Sequence, residues 1–213
     1  MNNQNKETYW SQFADEFEQK QQHVVGDKIL FLIKDELLKE EDLGEVLELG
    51  CGTGLFSESL QKVSKNIIAT DFSEEMVAAA RVTRANLKNV RFEKADALNL
   101  EYENESFDTV FMANLIHVIG DAKRVIQESK RVLKNGGCLI VTSFSIDEIN
   151  FFSKMAMGIR YLKTFGKPSA DATKEKTTRK SVEILLINNG FKISRSKLLG
   201  SKSKAFYIRC IKN

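Results

Sequence analysis

The sequence predicts an α/β fold: a seven-stranded, mostly parallel sheet with helices on both faces, closed by an antiparallel C-terminal β-hairpin. Three observations carry this. Short apolar runs alternate with helical stretches between residues 46 and 144, the pattern of a parallel sheet covered on both faces. A glycine turn, Gly50-Cys51-Gly52-Thr53-Gly54, joins the first run to a helix. The chain closes with two β-like runs, 191–199 and 204–211, joined by Gly200-Ser201-Lys202-Ser203, which suits a hairpin.

Each element has a local reason. Residues 7–20 and 23–41 read as helices, with Trp10, Phe13 and Phe17 at helical spacing in the first. Val46-Leu47-Glu48-Leu49 is a short apolar strand, 55–64 a helix and 66–70 a second strand. Ser73 suits an N-cap for a helix over 74–86, and Glu74 and Glu75 favour its first turn. Strands follow at 90–94 and 107–112. A helix over 121–134 stops at Asn135-Gly136-Gly137, and a fifth strand runs from 138 to 144. Residues 146–165 and 177–189 read as helices around a loop at Phe165-Gly166-Lys167-Pro168, which holds the single proline.

Composition excludes several classes. The 213 residues are 42% hydrophobic and 29% charged, ordinary for one soluble globular domain. No apolar run approaches the length of a membrane span, and residues 1–7 lack a signal core. Cys51, Cys138 and Cys210 are widely spaced, which argues against a disulfide framework or a zinc site and suits a reducing cytoplasm. With only His23 and His117 available, no metal site is expected. The net charge of +3 hides a split. Residues 1–149 carry 17 Lys and Arg against 26 Asp and Glu, whereas residues 150–213 carry 15 against 3. A basic region of this kind fits a nucleic-acid partner, an anionic substrate or a solvated face.

The glycine turn lets a ligand approach the backbone, and the following helix offers unpaired N–H groups. It also fits a plain strand-to-helix turn. Asp71 ends the second strand, 17 residues after Gly54. It is placed either to accept hydrogen bonds from ribose hydroxyls or to cap the next helix. Asp96, after the third strand, is either an acceptor for an exocyclic amine or a solvated loop residue. All three features fall at the C-terminal ends of successive strands, where open α/β sheets bind ligands. The third glycine of a dinucleotide fingerprint is absent, since Leu55 stands there, which disfavours a nicotinamide-dependent oxidoreductase.

With Val46-Leu47-Glu48-Leu49-Gly50-Cys51-Gly52-Thr53-Gly54, Ala69-Thr70-Asp71-Phe72-Ser73-Glu74-Glu75-Met76, Ala95-Asp96-Ala97, residues 107–117 and residues 133–141, the sequence resembles the class I S-adenosylmethionine (SAM)-dependent methyltransferases. The likeness is to the small-molecule members, of the ubiquinone and menaquinone biosynthesis type. It covers residues 44–145, and the terminal hairpin agrees with the family's sixth and seventh strands. It implies a Rossmann-like single domain over 1–213. Residues 1–43 would form lid helices, 44–145 the SAM-binding core, 146–190 a substrate cover and 191–213 the closing hairpin. It further implies that Gly50, Cys51, Gly52 and Gly54 pass their backbone close to the methionine part of SAM, with Glu48 orienting the loop. Asp71 would hold the ribose, Phe72 and Met76 would pack on adenine, and Asp96 and Ala97 would meet the adenine edge. Asn114 would lie beside the methionine portion. Asn135 departs from the proline often found before Gly136-Gly137, which affects turn stiffness only.

The implied reaction is in-line methyl displacement with S-adenosylhomocysteine as product, and positioning supplies most of the acceleration. His117, after the fourth strand, is the candidate general base. It fits equally as a residue that packs the pocket. Tyr9 and Trp10 are candidate lid residues over SAM, or simply aromatics packed on the core. The apolar stretch Ile149, Phe151, Phe152, Met155, Met157, Ile159 and Tyr161 reads as a substrate wall, as core or as a dimer contact. The expected partner is a small-molecule methyl acceptor in the cytoplasm. An RNA or protein methyltransferase using the basic surface and a non-catalytic SAM-binding protein are the alternatives, although no RNP-like motif or zinc knuckle supports nucleic acid.

Overall fold

A computed structural model describes residues 9–167 and 177–213. Seven strands form one sheet: β1 (Glu45–Leu49), β2 (Asn66–Asp71), β3 (Val90–Lys94), β4 (Phe107–Ala113), β5 (Leu133–Phe144), β6 (Phe191–Gly200) and β7 (Lys204–Lys212). Their order is β3-β2-β1-β4-β5-β7-β6. β1 to β5 pair in parallel, and β7 enters antiparallel to both β5 and β6.

Alternation along the strands builds two cores. Leu47 and Leu49, Val110 and Met112, Leu139 and Val141, and Phe206 and Ile208 face one side. There they meet α5 (Ala122–Val132) and α7 (Arg179–Asn188) through Val125, Ile126, Val182 and Leu186. Val46, Phe111, Ile140 and Tyr207 face the other side. They meet α2 (Asp27–Leu37) and α3 (Ser57–Leu60), while Ile67 and Ala69 face α4 (Glu74–Thr83). α1 (Phe17–Val25) and α6 (Phe151–Phe165) lie at the carboxyl ends of the parallel strands and pack on each other.

Several boundaries differ from the sequence reading. The helix expected over 7–20 is broken among the described residues by a 3-10 turn at Ala14–Glu16, α1 starts only at Phe17, and α1 and α2 meet at Gly26 instead of at 20–23, because its φ of +88° is open to glycine and breaks the helical path. The helix expected over 55–64 keeps one turn, and the one expected over 74–86 ends at Thr83. The helix expected over 146–165 begins at Phe151, where the Asn150 side chain accepts from Ser153 N–H after a 3-10 turn at Ile146–Glu148. β5 begins five residues early: Leu133 pairs with Phe107, and residues 134–137 bulge before Cys138 pairs with Thr109. Gly137 allows this bulge, since a Cβ there would stand 2.8 Å from Lys134 O. The loop at Pro168 lies outside the described residues.

The hairpin is tied to the N-terminal part by charge. Lys197 Nζ reaches Glu36 Oε1 at 2.6 Å, Tyr207 Oη donates to Glu40 Oε1 at 2.8 Å and Arg209 Nε donates to Glu40 Oε2 at 3.1 Å. The Arg195 guanidinium lies beside both carboxylates. Burial would raise the Glu36 pKa, but Lys197 and Lys39 outweigh it and hold the carboxyl below its usual value of 4.5. The stabilisation is therefore present above pH 4.5 and disappears as pH falls through the lowered pKa. Three of the seven basic residues of the hairpin, Arg195, Lys197 and Arg209, thus neutralise buried acid.

We expect Glu40→Ala to lower the urea-derived stability by about 2 kcal/mol, because it strands a buried tyrosine hydroxyl and a guanidinium. Lys65→Ala removes the more exposed Glu45 pair and should leave the urea midpoint unchanged within error.

Candidate active site

The glycine turn leaves β1 at the crevice between β1 and β4. Gly50, Gly52 and Gly54 adopt φ of +69°, +55° and +82°. A Cβ on Gly50 would lie 3.1 Å from Leu115, and one on Gly54 would lie 2.9 Å from Arg84 Cγ and 3.1 Å from the Phe92 ring. Two carbonyl and carboxylate anchors hold the turn. Cys51 N–H donates to Thr70 O at 2.9 Å, and Gly52 N–H donates to Asp71 Oδ2 at 2.9 Å. The second Asp71 oxygen accepts from Ser73 N–H at 3.0 Å. Burial raises the Asp71 pKa, while the N–H groups of Ser73, Gly52 and Phe72 pull the other way. Asp71 faces the cavity and braces the chain that leads into α4, but it does not cap that helix: the cap is Ser73, whose Oγ accepts from Met76 N–H.

Glu48 lies beneath the turn. Ser57 Oγ donates to its Oε2 at 2.5 Å. Burial pushes this carboxyl up to about 8, against the pull of Ser57. The Cys51 thiol is also driven up by burial, so it carries no thiolate chemistry near neutral pH.

Across the crevice, Asn114 follows β4 with φ +57°. Its N–H donates to Thr142 O at 2.8 Å, and its Oδ1 accepts from Phe144 N–H at 3.1 Å. That second bond orients the amide, and the buried Nδ2 has no hydrogen-bond partner among the described residues. His117 Nδ1 lies 2.8 Å from Ser143 Oγ. Burial lowers the His117 pKa to about 4, so the imidazole is neutral at physiological pH.

These groups wall a cavity of about 570 Å³, within the range of ligand pockets. Trp10, Gly50, Cys51, Gly52, Asp71, Phe72, Met76, Asp96, Ala97, Asn114 and His117 all line it. Tyr9, Glu48 and Gly54 stand behind the wall. Tyr9 donates its hydroxyl to Phe165 O at 3.1 Å and packs edge-on to Trp10. Asp96 Oδ1 accepts from Leu98 N–H at 2.9 Å. The far wall comes from α6, through Met157, Tyr161, Leu162 and Phe165, and the roof from Phe17, Gln21, Val24 and Val25.

Other residues that shape the site carried no readable signal. Glu18 on α1 accepts from Thr53 Oγ1 at 2.7 Å and pairs with Arg84, whose Nε donates to Gly54 O at 3.1 Å. Ser11 Oγ donates to Glu75 Oε2 at 2.6 Å. The roof is thereby tied to both the glycine turn and α4. Ser143, the partner of His117, sits inside an apolar strand pattern that marks it only as buried.

Gly54→Ala should lose about 3 kcal/mol in urea unfolding, because it combines a left-handed φ with close contacts on Arg84 and Phe92. Gly136→Ala, with φ +75° but open space around it, should lose only about 1 kcal/mol. NMR titration of the His117 ring should show a midpoint near 4 in place of 6.5. Its neutral form then favours the native state above pH 6.5, and that contribution is lost as pH falls towards 4.

Residues 47–141 match a family model described as a methyltransferase domain. A phosphatidylethanolamine N-methyltransferase from Cereibacter sphaeroides is 35% identical over 148 residues, 67% of this chain and 71% of that protein. A demethylmenaquinone methyltransferase from Clavibacter sepedonicus is 34% identical over 47% of this chain, and the match spans only 41% of that relative's length. A malonyl-[acyl-carrier protein] O-methyltransferase from Bacillus cereus is 32% identical over 58% of this chain and 45% of its own. Among solved structures, a SAM-dependent methyltransferase from Aquifex aeolicus shares the fold at 20% identity, with a TM-score of 0.69 over 92% of this chain and 98% of that one. Together with the glycine crevice and its ring of acidic and apolar residues, these matches place the chain in the class I SAM-dependent methyltransferase family.

Proposed function

We propose that the chain transfers the methyl group of SAM to a small, largely apolar acceptor held between the glycine turn and α6. The observation that carries this reading is the continuity of one cavity, from Gly50, Asp71 and Asp96 at one end to Met157, Leu162 and Phe165 at the other. Lid residues 1–43, core residues 44–145, cover residues 146–190 and hairpin residues 191–213 divide the work as one methyltransferase domain.

The residues present suit SAM. Glycine at positions 50 and 52 leaves room between the turn and the cavity-lining Leu115 and Phe17, which a Cβ would approach to 3.1 and 3.4 Å. Asp71 lines the cavity with carboxylate oxygens that take the N–H groups of Gly52 and Ser73 and can accept from ribose as well. The unpartnered Asn114 Nδ2 offers a buried donor beside the methionine end. Phe72, Met76 and Ala97 offer apolar surface for adenine, and Asp96 an acceptor at its edge. Glu48 braces the turn from below, so it acts on the cofactor through the loop. Bound SAM supplies an electrophilic methyl group on a sulfonium.

The chain's own task is then to hold the acceptor in line and exclude water. Trp10, Phe17 and Phe165 close the cavity with aromatic surface. With Nδ1 donating its hydrogen to Ser143 Oγ, the neutral His117 ring keeps Nε2 free to take a proton from the acceptor. A pKa near 4 makes it a weak base. That favours an acceptor whose nucleophile already has a free lone pair, or is readily deprotonated, at neutral pH. The relatives named above carry three different acceptors in their names, so the family leaves the choice to the far wall of the cavity.

Calorimetry with S-adenosylhomocysteine should show at least a tenfold affinity loss, about 1.4 kcal/mol, for Asp71→Ala. Unchanged affinity in the folded variant would remove Asp71 from the site. His117→Ala should bind the product as the parent does yet turn over the acceptor more slowly. The acceptor itself is found by screening a metabolite library with methyl-labelled SAM, and a label found only on RNA or protein would overturn the small-molecule reading.

A further inference from the structure

α6 has two apolar faces. Its inner face closes the cavity, while Phe151, Phe152, Met155, Ile159 and Leu162 point outward with exposures of 72%, 76%, 50%, 49% and 55%. At about 100° per residue these five fall within an arc of roughly 100° on the helix surface. Five of the twelve exposed large hydrophobics of the described residues therefore share one stripe on one helix. A contiguous stripe of this kind marks an interaction surface, unlike apolar residues scattered singly.

The flanks carry one sign of charge. α6 holds Lys154, Arg160 and Lys163 and no acidic residue, and Lys167 follows its C-cap. Lys154 is offset by Asp147, and Arg160 Nε donates to Val24 O at 3.2 Å. Lys163 and Lys167 are exposed beside the stripe. Ile146 and Leu162 belong both to the exposed surface and to the cavity wall, so the stripe runs to the mouth of the site.

We propose that the outer face of α6 docks on the surface of an anionic lipid bilayer, which presents an amphiphilic acceptor to the cavity along α6. Large apolar side chains flanked by lysines are the chemistry of a helix lying in the interface plane. The lysines add attraction to anionic headgroups, which weakens with salt. Delivery of the acceptor rests on the apolar-acceptor reading above, whereas adsorption stands on the surface alone.

The test is flotation of the full chain with vesicles of phosphatidylcholine alone and with phosphatidylglycerol added. Anionic vesicles should bind at least tenfold more protein, and raised salt should reduce this. The triple variant F151S/F152S/I159S should lower binding at least tenfold while its affinity for S-adenosylhomocysteine stays within twofold. Phe31→Ser, at an exposed site on α2, should leave binding unchanged. Absence of any anionic preference, or equal binding by the triple variant, overturns the proposal. So does a parent chain that sediments as a dimer when the triple variant is a monomer. Adsorption is read without an acceptor, so its failure leaves the acceptor reading standing, and a failed acceptor screen leaves the docking surface standing.

Discussion

The Asp71 carboxylate, shared between the N–H groups of Gly52 and Ser73, is the joint on which the site depends. It binds the turn after β1 to the end of β2 and to the start of α4. Moving any one of these would leave a buried carboxylate without its donors, at a cost of a few kcal/mol. The other contacts refer to the position so fixed. Phe17 covers Gly52, Glu18 reaches Thr53 and Arg84 holds the Gly54 carbonyl. Sheet order places this joint beside the gap between β1 and β4, where Asn114 answers it from the other side.

The strands and the crevice were legible because their signals are local. Apolar runs of a few residues, glycines that need positive φ and carboxylates at strand ends each state their own constraint within a short window. Helix limits were less legible. Nothing near residues 20–23 says that the break waits for Gly26, and nothing near 135–137 says that the turn there becomes a bulge inside β5. Spacing also places a backbone without saying where its side chain turns. Tyr9, Glu48 and Gly54 sit on the right elements yet stand behind the cavity wall. Glu18 was invisible because its partners, Thr53 and Arg84, lie 35 and 66 residues away.

The charge asymmetry separates into two parts on the fold. Arg195, Lys197 and Arg209 turn inward to Glu36 and Glu40, so acidic and basic halves of the sequence meet in one partly buried network. Such a network contributes orientation as much as stability, since desolvation offsets much of its attraction. The positive charge on and just after α6 has a different setting, next to apolar side chains and the mouth of the cavity. Net charge by segment merged these two roles, which only the paired distances tell apart.

The tie between Glu40 and Arg209 spans 169 residues. A chain made from its N-terminus meets this partner late, after every parallel strand already exists. α2 packs its apolar face on the parallel strands without the hairpin, but the buried Glu40 has no cation beside it until β6 and β7 arrive. A chain cut short before β6 would therefore keep the residues that line the crevice and carry a buried carboxylate with nothing to neutralise it on the back of the sheet.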